Sequence, residues 1–193
     1  MALSSYIDIN AGERRQLLKI ARQSIETGLE NGQALRLKGT DFDGLLAATL
    51  GAFVTLTQGD SLRGCMGALQ SADPLAQTTA ACAFNAAFKD PRFTQLDAGE
   101  AKDIRIEISI LSEMETLSVS DRDNLLRQLQ PGIDGLLMED GQYRSTFLPK
   151  VWEKIDSPTD FLRHLMTKAG LPGDYWSQTI QFSRYHTVSF AED

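Results

Sequence analysis

Cysteine and histidine are the scarce residues of this chain. Cys65, Cys82, His164 and His186 are the whole supply among 193 residues. Two cysteines make no disulfide framework in a chain of this length. No CxxC or HExxH spacing occurs, so a zinc site has no ligand set, and neither metal nor cofactor is expected. GxSxG, Walker A and GxGxxG are missing as well. Serine hydrolase, P-loop and dinucleotide-binding readings therefore lose their sequence support. Positive charge is in deficit, with 19 Lys and Arg against 26 Asp and Glu and a formal net charge of −7. That balance argues against a protein whose task is neutralising nucleic-acid phosphates. The stretch MALSSYIDINAGERRQ lacks the apolar centre of a secretory signal. The longest near-apolar run, Leu45–Leu56, is about half of the ~20 residues that span a bilayer. A cytoplasmic protein with no membrane partner is the expectation.

What remains is ordinary globular material, 42% hydrophobic and 23% charged. The length suits one large domain or two small ones. Asn10 with Glu13 forms a capping-box pattern ahead of Leu17, Leu18, Ala21, Ile25 and Leu29, which predicts a helix over 13–31 ending at Gly32. Two strand-like runs, 52–57 and 61–68, flank a turn at Gln58-Gly59-Asp60. Asp73 and Pro74 predict an N-cap and first helical position for an Ala-rich buried helix that Asp90-Pro91 stops. The run 104–111 is the clearest strand, with four isoleucines on one face and Arg105, Glu107 and Ser109 on the other. Further on come a short helix over 123–129, a hairpin turning at Asp140-Gly141, a helix capped by Ser157-Pro158, and terminal strands within 179–190. Strict βαβ alternation is missing. The expected fold class is therefore α+β, an antiparallel sheet flanked by helices.

The hexapeptide Leu62-Arg63-Gly64-Cys65-Met66-Gly67 carries the most chemistry. Glycines inside a strand need a reason, such as a bulge or the close approach of a ligand or another backbone. Strand alternation places Arg63 and Cys65 on one face, where a cation beside a thiol favours the thiolate. Cys65 then reads as a nucleophile, or as a small buried hydrophobe. Glu107 reads as a general base, a partner of Arg63, or a solvated strand residue. Asp90-Pro-Arg-Phe93 reads as an Asp–Arg bridge at a helix end, with Arg92 available to an anionic substrate. Cys82, inside the Ala-rich helix, reads as core packing, and both histidines read as structural.

Taken in order, LRGCMG, Asp73-Pro-Leu, the Ala-rich helix, Asp90-Pro-Arg-Phe93, IRIEISILSEMETL, Asp134-Gly-Leu-Leu, Phe147-Leu-Pro-Lys-Val151 and Lys168-Ala-Gly-Leu171 resemble the AMMECR-type domain. In prokaryotes this family is also called AmmeMemoRadiSam system protein A. The resemblance runs from about Gly12 to Phe190. It departs at Met66, where the family usually has Ile, and at Lys150, where Gln is common. It implies two interleaved sub-domains, the larger from both chain ends and the smaller from a middle insertion. It also implies a candidate site near the hexapeptide. The positions carried over are Arg63, Cys65, Asp90, Arg92 and Glu107.

The expected function is binding of a small molecule in a cleft near LRGCMG, with chemistry at a Cys65 thiolate. Cys65 and Glu107 are the catalytic candidates. Arg63, Gly64, Gly67, Asp90 and Arg92 are the substrate-binding candidates. The family name implies a pathway shared with Memo-type and radical SAM proteins as partners. The alternative is a non-catalytic adaptor that binds a protein partner.

Overall fold

The computed structural model describes residues 7–38 and 42–193. Residues 1–6, where the stretch read for a secretory signal begins, lie outside it. Ile7–Leu111 with Val188–Asp193 form one compact unit, and Ser112–Thr187 form a second. The fold is α+β, and the expected antiparallel sheet is present twice, as two four-stranded sheets.

In the first unit, helix α1 (Ala11–Asn31) starts at the capping box. Asn10 Oδ1 accepts from the amides of Gly12 and Glu13, and Glu13 Oε2 accepts from the Asn10 amide. Gly32 ends it in the left-handed region, with φ 73°. Strands β1 (Ala52–Gln58) and β2 (Ser61–Ala68) form the expected hairpin, and β3 (Ile104–Leu111) pairs with the other side of β1. Ile104, Ile106, Ile108 and Ile110 join Val54 and Leu56 in the core, all almost fully buried. Each such side chain is worth about 1.5–3 kcal/mol against exposure. The helices that cover this face are α1 and α3 (Leu75–Phe88), the latter through Leu75, Ala76, Ala80, Ala83, Ala86 and Ala87. The start of α3 differs from expectation. Pro74 is the N-cap, held extended at φ −51° and ψ 145°, and its carbonyl takes the first helical bond from Thr78. Asp73 lies one residue too early to cap. A short helix, α2 (Gly44–Ala47), was not visible as a pattern.

The second unit carries β4 (Glu115–Thr116), α4 (Arg122–Gln128), the hairpin β5 (Gly135–Asp140) and β6 (Tyr143–Phe147), α5 (Pro158–Lys168) and β7 (Gln181–Tyr185). Ser157 caps α5 by accepting from the Asp160 amide. Phe161, Leu162, Leu165 and Met166 form its fully buried stripe, against Trp152, Leu136 and Phe182. The last strand, β8 (Thr187–Ala191), returns to the first sheet beside β3.

Two packing features place the hexapeptide. At Gly64, a Cβ would lie 2.2 Å from the main-chain oxygen of Ala86. Backbone thus meets backbone where α3 ends, and only glycine fits. At Gly67, a Cβ would lie 2.3 Å from the Phe53 ring. Both glycines make room for the protein's own atoms. Gly64→Ala should cost about 1–3 kcal/mol through overpacking. Urea unfolding of the two proteins measures this, and equal stabilities would contradict the close approach.

Candidate functional site

The register of the β1–β2 hairpin decides what surrounds Cys65. Gln58 faces Ser61 and Thr57 faces Leu62, but Leu56 faces Gly64 and Thr55 faces Cys65. Arg63 is the extra residue, a β-bulge. Without it, the turn would place Cys65 opposite Val54, on the core face. A one-residue shift moves a strand's side chains to the other face. The bulge therefore puts Cys65 beside Thr55, and Thr55 in turn faces Glu107 on β3. Cys65, Thr55 and Glu107 form one row across three strands on the polar face, each half-buried. The next row brings in Phe53 and Ser109, whose hydroxyl lies 2.8 Å from that of Ser189.

The bulge also corrects the expected Arg63–Cys65 pairing. Arg63 is nearly buried, and its guanidinium makes two bonds to Glu100, at 2.9 and 2.8 Å. The Phe93 ring lies 5.9 Å beneath it, within cation–π range. Glu100 holds the arginine's pKa up, and the arginine holds the Glu100 carboxyl below its usual range. Arg63 thus fastens the loop that follows α3 to the bulge. Its charge is committed to Glu100.

The cation that does reach Cys65 is Arg92. Its Nη2 donates to the Cys65 carbonyl at 3.3 Å. Nε and Nη2 also donate to the two oxygens of Asp90, at 2.9 and 2.6 Å. The Cys65 amide donates to Asp90 Oδ2 at 2.9 Å, and the Arg92 amide to Oδ1 at 3.1 Å. Four donors on one nearly buried carboxylate hold its pKa far below the ordinary range, the Arg92 side chain first among the causes. The Arg92 pKa is raised, mainly by Asp90 and to a smaller extent by Cys65. The Asp-Pro-Arg-Phe turn is therefore the expected Asp–Arg bridge with one addition: it grips the main chain of Cys65 from both sides. Antiparallel strands alternate between bonded and non-bonded pairs. Because the amide and carbonyl of Cys65 point outward to Asp90 and Arg92, Thr55 and Cys65 form a non-bonded pair, the closer kind. Their side chains touch accordingly, with Thr55 Oγ1 donating to the Cys65 sulfur at 3.4 Å.

Thr55 is the residue that sequence reasoning missed. Its signal was the register, which depends on the bulge. Of the expected residues, the structure gathers Cys65, Asp90 and Arg92 around one strand position and sets Glu107 two strands away in the same row. It sets Arg63 in a separate ion pair, and Gly64 and Gly67 against internal neighbours. Cys82 is core, as expected. Its thiol lies 3.5 Å from the Ala52 carbonyl, and burial pushes its pKa up to about 11. In the second unit, His186 Nε2 lies 3.0 Å from Oδ1 of the fully buried Asp134. His164 Nδ1 lies 2.8 Å from the Asp160 carbonyl, one turn back on its own helix. No group of His, Cys, Asp and Glu among the described residues could hold a metal ion. No helix among them is long and apolar enough to cross a membrane.

Arg63→Ala should lower stability by about 1.5–3 kcal/mol, the worth of hydrogen bonds to a charged group. Arg63→Lys should not restore it, because an ammonium cannot fork onto Glu100. Chemical denaturation of the three proteins checks both expectations. Asp90 adds a pH dependence. Its folded-state pKa is depressed, so its stabilisation is present above the unfolded value of about 4 and is lost as pH falls through the folded value. The stability gap between the protein and Asp90→Asn should be widest near neutral pH and narrow below about pH 4. A gap independent of pH contradicts this.

Comparison with known proteins accords with the motifs. The AMMECR1 family model matches residues 18–190. A protein of Methanothermobacter thermautotrophicus is 34% identical over 97% of this chain and 98% of its own length. One from Methanosarcina mazei is 35% identical over 93% of this chain and 92% of its own. The solved structure of the uncharacterised protein PH0010 of Pyrococcus horikoshii superposes with a TM-score of 0.83 at 30% identity, covering 92% of this chain and 90% of that one. With its motifs, its fold and the family match all in agreement, the chain belongs to the AMMECR1 family.

Proposed function

We propose that the protein binds a small anionic molecule on the polar face around Cys65 and engages it through a Cys65 thiolate. The observation that carries this is the setting of Cys65: half-buried on a polar sheet face, gripped through its main chain, with a guanidinium on its carbonyl. Arg92 keeps 54% of its side chain exposed despite its bonds to Asp90, which leaves it room to receive a carboxylate or phosphate. Glu107, two strands away in the same row, is the acid–base or orienting group. A pathway shared with Memo-type and radical SAM proteins rests on the family resemblance alone.

The adaptor reading meets a specific obstacle. A partner strand added to the β2 edge would need the outward amide and carbonyl of Cys65. Asp90 and Arg92 already occupy both.

Iodoacetamide alkylation of Cys65 at neutral pH beside that of free cysteine, with the site read by peptide mass spectrometry, tests the proposal. Cys65 is expected to react faster than free cysteine. A rate at or below that of free cysteine removes the thiolate. Cys82 should stay unmodified in the same experiment.

A further inference from the structure

The segment after α1, residues 32–38, is neither helix nor strand, yet side chains tie it down. Ser24, fully buried on α1, accepts from the Leu35 amide at 3.1 Å and donates to the Ala80 carbonyl of α3 at 2.7 Å. Gln77 of α3 completes the fastening. Its Nε2 donates to the Leu35 carbonyl at 3.2 Å, and its Oε1 accepts from the Leu37 amide at 2.9 Å. This segment and α3 together line a cavity of about 450 Å³. That volume lies within the range of small-molecule sites. The lining has two chemical parts. Leu35 and Phe84 are apolar, and the Phe84 ring packs on Phe88 with centroids 5.0 Å apart. Arg36 and Lys89 are charged and exposed, and neither side chain makes a hydrogen bond or ion pair among the described residues. No Asp or Glu lines the cavity.

We propose that this cavity binds a small molecule that joins an acidic group to a flat apolar body, such as an aryl carboxylate, sulfonate or phosphate. Arg36 and Lys89 receive the acidic group, and Leu35 and Phe84 take the apolar body. In a chain of net charge −7, two uncommitted cations on one carboxylate-free cavity are the feature that selects an anion. Other arginines are committed, Arg63 to Glu100 and Arg92 to Asp90. A second cavity, beside α1, differs in this respect. Its Arg22 is paired with Glu192, and Glu26 also lines it. At the first cavity neither cation has a partner to give up. Walls fixed before binding also spare the ligand the cost of ordering them. The site does not depend on the reactivity of Cys65.

The probe is 8-anilinonaphthalene-1-sulfonate, an aromatic amine carrying one sulfonate, with N-phenyl-1-naphthylamine as its uncharged counterpart. Fluorescence titration gives the dissociation constants, and amide chemical-shift mapping of the isotope-labelled protein gives the place. Saturable binding of the sulfonate is expected, with shifts concentrated in residues 32–37 and 77–89. The double variant Arg36→Gln, Lys89→Gln should weaken it about three- to tenfold, the scale of two solvent-screened ion pairs. The uncharged probe should bind the unsubstituted protein more weakly by a similar factor. Both substituted side chains are exposed, so the fold is expected to survive, and circular dichroism checks it. No saturable binding below about 1 mM overturns the site, and so do shifts centred elsewhere. Equal affinity of the double variant, or equal binding of the uncharged probe, removes the role of the cations and overturns the proposal.

Discussion

One extra residue in β2 governs everything that Cys65 can do. A tight hairpin turning at Gly59 would run the two strands in unbroken register and direct Cys65 into the same core as Val54 and Leu56. The bulge at Arg63 shifts the register by one, and every later side chain of β2 changes face. A cysteine headed for the interior becomes a half-buried thiol on the polar side. Bulges disrupt the ladder locally, so the extra residue needs other partners. Arg63 finds them in Glu100 and Phe93.

The same loop that secures the bulge secures Cys65. Helix α3 ends against Gly64, close enough that backbone touches backbone, and the chain then turns along the β2 edge. That path delivers Asp90 and Arg92 to the outward main-chain groups of Cys65, and Glu100 to Arg63. An open strand edge is normally a liability, because its unpaired amides and carbonyls invite another chain. Here an ion pair covers the edge at Cys65. Hairpin register, helix packing and edge capping thus converge on Cys65, whose main chain is held in place.

Much of the fold was legible in the sequence, because it rests on local chemistry. The capping box at Asn10, the four alternating isoleucines of β3, the Asp140-Gly141 turn and the Ser157 cap each act within a few residues. The start of α3 was misread by one position, since Pro74 at the N-cap and Asp73 before it offer the same residues to either assignment. The wiring of the candidate residues was not legible, because Asp90 and Arg92 reach Cys65 through its main chain. Cys65, Glu107, Asp90 and Arg92 were picked out by residue type and neighbours. Strict alternation put Arg63 with Cys65, because a bulge leaves no mark that alternation can see. Thr55 was invisible for the same reason, being brought to Cys65 by the shifted register. Glycines at 64 and 67 were rightly judged to need a reason, and Ala86 and Phe53 supply it.

The register itself is therefore the most direct thing to measure. In an antiparallel pair, residues in the non-bonded position lie closest across the strands, with Cα atoms about 4.5 Å apart. Cross-strand Hα–Hα nuclear Overhauser effects identify such pairs in solution. The account predicts a strong effect between Thr55 and Cys65 and none between Thr55 and Gly64. A strong Thr55–Gly64 effect, or a Cys65 paired with Val54, would mean an unbulged hairpin with Cys65 in the core, and would contradict the account at its root.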